Sequence, residues 1–221
     1  MKSTIFSELE NTENEGEVFV LQNPHMLLIN LQGKLMAKQG SMVAYQGNID
    51  FKYHGGGAAR MLKKMVTTEN LELMECTGQG DIFLANMADH IHIIDLEQDS
   101  ITVSASNILA FQEGVSWDIN RLKGGVMAMA AGGLFNTTLS GTGKIAISTQ
   151  GRPVVLNVDA PTFVDVNAVV AWSPSLQVNV KSSFKAGALV GRGSGESFQM
   201  AFSGGGYVIV QPSEYVPYVP K

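Results

Sequence analysis

Apolar and polar residues alternate along most of this chain, in short runs closed by glycine, asparagine or proline. A two-residue period predicts strands with tight reversals and argues against helices. Residues 18–21 read as a first strand and residues 26–31 as a second, with Asn23-Pro24 between them. Further strand-like runs follow at 48–53, 115–120 and 176–181, and again at 71–74, 135–138 and 198–201.

One stretch recurs. Cys76-Thr77-Gly78-Gln79-Gly80 returns as Leu139-Ser140-Gly141-Thr142-Gly143 and as Phe202-Ser203-Gly204-Gly205-Gly206, each time followed by an apolar run. Its hydroxyl residues, Thr77, Ser140 and Ser203, are evenly spaced at 63 residues. A second mark also occurs three times: Met42-Val43-Ala44-Tyr45, Ile108-Leu109-Ala110-Phe111 and Val169-Val170-Ala171-Trp172. Two marks repeating in one order predict an internal repeat.

The fold expected is therefore all-β, with three tandem pseudo-symmetric β-sandwich lobes at about 18–85, 86–148 and 149–211. An acidic lead-in, 1–17, precedes them, and a Pro/aromatic tail, 212–221, follows. A unit of about 60 residues is marginal alone, so the lobes are expected to share one core. Tyr45, Phe111 and Trp172 are the aromatics placed to fill it. The recurring glycines read as turn positions. Residues 97–100 read as a hairpin turn whose counterpart in the next lobe is 159–162.

Composition narrows the function classes. The 221 residues are 45% hydrophobic and 16% charged, as in a globular protein, and carry a net charge of −5. An acidic balance opposes nucleic-acid binding, because no global field draws the chain onto phosphates. One cysteine, Cys76, allows no internal disulfide and fits a reducing compartment. The first residues lack a signal-peptide pattern, and no run is long and apolar enough to span a bilayer. The expectation is a cytoplasmic protein.

The order of these marks resembles a known family. Leu35-Met36-Ala37-Lys38-Gln39-Gly40-Ser41-Met42-Val43-Ala44, the Gly55-Gly56-Gly57 run, the three hydroxyl-Gly-X-Gly strands, Ile108-Leu109-Ala110 and Gly195-Glu196-Ser197-Phe198 are similar to the altered-inheritance-of-mitochondria 24 family. The similarity spans about residues 18–211. It implies TRAP-like β-sandwich lobes, of the kind seen in the trp RNA-binding attenuation protein, and an oligomer. Mitochondrial members are associated with the inner membrane and its organisation. The family carries no assigned catalytic residues, so the resemblance names none here. Ala131-Gly132-Gly133-Leu134 and Thr68-Glu69-Asn70 depart from the family's Gly-Glu-apolar entry to a lobe.

Candidate chemistry is sparse. His90 and His92, with Glu97 five residues on, match the spacing of a cupin-type metal motif, in which imidazoles and a carboxylate hold Fe, Mn or Zn. That motif needs a later histidine, and none follows His92; strand alternation also puts Glu97 on the opposite face. A solvated strand face is the simpler reading of the pair. Gly193-Ser194-Gly195 lacks the spacing and context of a nucleophile elbow. The glycine turns lack the following Lys-Ser/Thr and helix of a phosphate cradle. Asp159 and Asp165 read as surface acids. No catalytic residue, cofactor or metal is therefore assigned.

Three apolar loops remain, at corresponding places in the lobes: Met61 and Leu62; Val126, Met127 and Met129; Leu189 and Val190. Apolar residues on exposed loops mark contact surfaces. A homo-oligomer, with a trimer as one option, is the first expectation for them; ordinary packing is the second, and a protein partner or a membrane surface the third. The preferred function is a non-enzymatic, oligomeric binding or scaffold module. A cupin-like metal-dependent enzyme around His90 and His92, and a TRAP-like RNA-binding assembly, are the alternatives.

Overall fold

The computed structural model describes residues 16–53, 71–121, 135–182 and 198–213. The contact loops named above all fall outside these segments. Within them the chain is built of antiparallel strands, and its one helical element is a 3-10 turn at Ala105–Asn107. In chain order the strands are β1 (Phe19–Asn23), β2 (Met26–Lys38), β3 (Met42–Tyr53), β4 (Leu73–Leu84), β5 (His90–Ser104), β6 (Ile108–Gln112) and β7 (Val115–Arg121). β8 (Phe135–Thr149), β9 (Val154–Asn157), β10 (Thr162–Asp165), β11 (Val169–Trp172), β12 (Gln177–Ser182), β13 (Phe198–Ser203) and β14 (Tyr207–Val210) complete them.

An 11-stranded sheet runs β3-β4-β2-β6-β8-β5-β11-β14-β9, with β1 added on β2 and β7 on β8. A three-stranded sheet, β10-β13-β12, lies apart from it. One pairing scheme occurs in each third of the chain. β4 lies between β2 and β3. β8 lies between β5 on one side and β6 with β7 on the other. In the last third, β14 lies between β9 and β11, and β13 between β10 and β12. The scheme is constant while the strands become progressively broken. All three run through in the first third, one is split in the second, and all are split in the third.

The glycine pairs stand where that break happens. Gly78 and Gly80 have φ of 131° and 148°, Gly141 and Gly143 of 125° and 145°, Gly204 and Gly206 of 110° and 156°. L-residues rarely adopt such angles, so glycine is required. In the first two thirds the expected turn is instead a corner inside a continuous strand. Gly78 faces Gly33 on one neighbour, Gly80 faces Gly47 on the other, and β2, β4 and β3 bend together. In the last third the same corner carries the chain from β13 in the small sheet to β14 in the large one. Strands change layers at such bends.

Residues 97–100 are likewise no hairpin. β5 runs straight through them, and Gln98 (φ 56°) forms a bulge where the register against β8 shifts. Their counterpart, 159–162, is a real break, between β9 and β10.

The buried apolar residues form three clusters in place of the single shared core expected. One gathers around Leu27, Ile29, Ile82 and Leu84, a second around Ile101, Phe111, Leu139 and Ile145, and a third around Val164, Trp172, Met200 and Phe202. The third draws on both sheets, as a sandwich does. The first two borrow from the next third of the chain: Leu109, Ala110 and Ala146 enter the first, Val170 and Ala171 the second. Of the three aromatics expected inside, Phe111 and Trp172 are buried and Tyr45 is not.

Candidate functional site

The thirds of the chain meet edge to edge, and both meetings have one geometry. At the first, β2 pairs with β6 through Leu35↔Gln112, Met36↔Phe111 and Ala37↔Ala110. At the second, β5 pairs with β11 through Thr102↔Trp172 and Val103↔Ala171. The hydroxyl-Gly-X-Gly positions align Met36 with Thr102 and Phe111 with Trp172, so the two joints share their register. A bulge accompanies each, with the register of β6 on β8 shifting between Ile108 and Ala110 and that of β11 on β14 between Val169 and Ala171. The residues passed over, Leu109 and Val170, are fully buried.

The joints are fastened at their ends by polar bonds. Lys38 Nζ donates to the Ser106 carbonyl (2.7 Å) across the first, and Ser104 Oγ to the Val169 carbonyl (2.8 Å) across the second. Buried Asn107 donates to the Ser148 carbonyl and to Gln211 Oε1, while Gln211 Nε2 donates to the Asn167 carbonyl. This ties the last third of the chain to the middle one.

At the two ends of the series the edges have no strand on them among the described residues. β3 closes one end of the large sheet, and β10 is an edge of the small one. β3 has the same bulge, between Met42 and Ala44. There, however, Val43 is 57% and Tyr45 48% exposed, against 0% for Leu109 and Val170 and 1% and 4% for Phe111 and Trp172. On β10, Phe163 is 50% exposed. Tyr45 leans edge-on against Phe51, and the Lys181 ammonium lies 4.7 Å from the Phe163 ring centroid. No sequence signal separates Tyr45 from Phe111; only the strand order does.

A groove of about 1150 Å³ runs along the first joint, lined by Glu17, Leu28, Lys34, Asp81, Gln112 and Glu113 among others. Lys34 is held between Glu75 (3.3 Å) and Glu113 (3.7 Å). Nearby, Lys144 bonds Asp95 (2.7 Å) and Glu17 (3.2 Å). The hydrogen bond that Lys144 donates to Asp95, ahead of that to Glu17, holds its ammonium above the ordinary pKa. Each lysine is thus neutralised twice, which leaves the groove little positive charge for an anionic ligand.

His90 and His92 lie on one face of β5, as expected, but half-buried in place of solvated. The His90 ring meets His25 edge-on at 4.5 Å. His92 Nε2 is 2.9 Å from Thr149 Oγ1, whose own hydrogen goes to the Gly151 carbonyl. Nε2 is therefore the donor, and that nitrogen is already engaged. Burial first, then the neighbouring His90 and Arg152, pushes the His92 pKa below its ordinary value. The described residues hold no group of three or more His, Cys, Asp or Glu placed to ligate a metal. Cys76 is wholly buried, and burial, helped by the charge of Glu75, raises its thiol to about 12. Such a thiol is unreactive. Asp165 Oδ1 accepts from the Asn167 amide (2.8 Å), the bond of a turn, and Asp159 is exposed.

A family profile described as "Mitochondrial biogenesis AIM24" matches residues 19–213. An uncharacterized protein of Streptococcus pyogenes serotype M6 is 26% identical over 192 residues, which cover 81% of this chain and 77% of that one. The X-ray structure of a Streptococcus pyogenes protein, from a structural genomics consortium, superposes with a TM-score of 0.72 at 23% identity. The match covers 88% of this chain and 92% of that chain, and the likeness is one of fold. Among the described residues no helix is long and apolar enough to cross a membrane.

Proposed function

The chain belongs to the AIM24 family, and from that premise we propose that it works by assembly and binding, not by catalysis. In this reading the three thirds are copies of one antiparallel unit, the TRAP-like lobe that the repeat predicts. The chain is then a scaffold module that forms homo-oligomers, with a trimer as one option.

One observation carries the reading: the joint between the first and second thirds recurs, in the same register, between the second and third. A unit that joins its neighbour twice by the same edge is built to add neighbours. The sequence offers no complete catalytic constellation beside it, and the acidic balance disfavours an RNA partner. Buried, unactivated Cys76 supports a reducing, cytoplasmic setting. Light scattering on the purified chain tests the assembly. An oligomer of one defined mass is expected, and a single-chain mass across the micromolar range would end this reading.

A further inference from the structure

We infer that copies of the chain join head to tail through a third joint of the same kind, made by β10 of one copy and β3 of the next. The inference rests on the scaffold reading above and names its contact surface.

The register comes from the two joints already formed. In both, the strand placed like β2 presents residues set by their pairing to the central strand. Met36 lies opposite Glu75, Thr102 opposite Thr138, and Phe163 opposite Ala201. Glu75, Thr138 and Ala201 each stand three residues before the first glycine of their corner. Phe163 is thus the counterpart of Met36 and Thr102, and Val164 that of Ala37 and Val103. On the other side, Tyr45 pairs with Ile82, Phe111 with Ile145 and Trp172 with Val208, each four residues after that glycine. The third joint therefore reads Phe163↔Tyr45 and Val164↔Ala44, and Thr162↔Gln46 answers Leu35↔Gln112.

The side chains suit that pairing. The two exposed aromatics come to lie directly opposite, a favourable cross-strand pair. Val43, left bare in one copy, takes the place that Leu109 and Val170 fill in the covered joints. Among the described residues both strands are edges, and the outward backbone groups of an edge are satisfied by another strand. Among the described residues β10 and β3 belong to separate sheets and do not pair, so the partner we infer is a second copy. The contact uses different surfaces on the two copies, which closes a ring when the rotation allows.

The test uses two full-length chains, one carrying Tyr45→Cys and one Phe163→Cys, co-expressed with tags of different size and oxidised. A covalent dimer holding one of each is expected, and none from either variant alone. Cys76 does not interfere, being buried with a raised thiol pKa. Phe163→Glu, at an exposed position, should reduce the mass in solution to that of one chain while leaving its far-UV β-sheet signal in place. Absence of the mixed dimer, or an unchanged mass for Phe163→Glu, in a protein that is still oligomeric would overturn the joint and spare the scaffold reading. A double variant linked within one chain would overturn it too, because the two edges would then meet in a single molecule. A monomeric wild-type chain removes both claims at once.

Discussion

The joint at Phe111 and the free edge at Tyr45 are the same piece of chain in two situations. Each is an apolar pair, an alanine and an aromatic, bulged at its second residue and paired to a central strand. At Phe111 a neighbouring strand, β2, lies along the outer side; at Tyr45 no strand among the described residues does. Local sequence decides the strand, the bulge and the face. Cover decides whether the side chains stabilise the fold, because apolar burial is worth energy only when area leaves water. The same contrast holds between Met36, covered, and Phe163, bare.

Truncating the aromatics should break this comparison open with the largest effect. Phe111→Ala removes a buried ring and is expected to cost about 3–5 kcal/mol in urea unfolding. Tyr45→Ala should change single-chain stability by under about 0.5 kcal/mol, as exposed sites do. Equal losses at both would mean that Tyr45 is covered within the chain.

The glycine corners give the next effect, comparing the continuous bend of the first third with the broken one of the last. A methyl on Gly78, the counterpart of Gly204, would strike the Asn48 carbonyl oxygen at a φ only glycine tolerates, so Gly78→Ala should cost on the order of 3 kcal/mol or more. At Gly204 the nearest atom to such a methyl is Leu176 Cδ2, 3.8 Å away, and only the backbone angle resists. Gly204→Ala should cost about 1–2 kcal/mol. Matching losses would refute the view that β4 bends under close contact.

Charge across the joint should matter less. Lys34 reaches from β2 to Glu113 beyond β6, so it spans the first joint, but both side chains are well exposed. Lys34→Met is expected to shift stability by less than about 1 kcal/mol. A larger loss would make the joint ionic where burial is argued to hold it.

The smallest effect is the pH response of β5, the strand that carries the second joint. His92 has a lowered pKa in the folded chain, so as pH falls the unfolded chain takes up the proton first. Its contribution is complete above about pH 6.5, the unfolded value, and is lost progressively as pH drops toward the lower folded one. The thermal midpoint should therefore fall on acidification, and by less in His92→Gln. An identical fall in both proteins would remove His92 from the account.

Much of the architecture could be read from residue order. The even spacing of Thr77, Ser140 and Ser203 marks corners whose backbone angles agree. The runs at 115–120, 176–181 and 198–201 lie close to β7, β12 and β13, whereas those at 26–31, 71–74 and 135–138 are only the first parts of the longer β2, β4 and β8. The glycines were misread as turns because a bend inside a long strand and a hairpin ask the same thing of a glycine: a positive φ. Gln98 misled in the same way, since a bulge and a turn both tolerate that residue. The candidate surface was less legible. The loops at Met61, Val126 and Leu189 stand out as apolar runs near glycine but lie outside the described residues, whereas Val43, Tyr45 and Phe163 look like ordinary inward-facing strand residues.

Sequence alone determined that this protein is all-β, a run of alternating strands punctuated by glycines that need a positive φ, because alternation and φ preference are properties of a residue and its immediate neighbours. Tertiary structure alone decided which copy of the Val-Ala-aromatic mark is buried and which is bare. Burial depends on what lies across the edge of a strand, and the first and last members of any linear series lack a neighbour that the middle ones have.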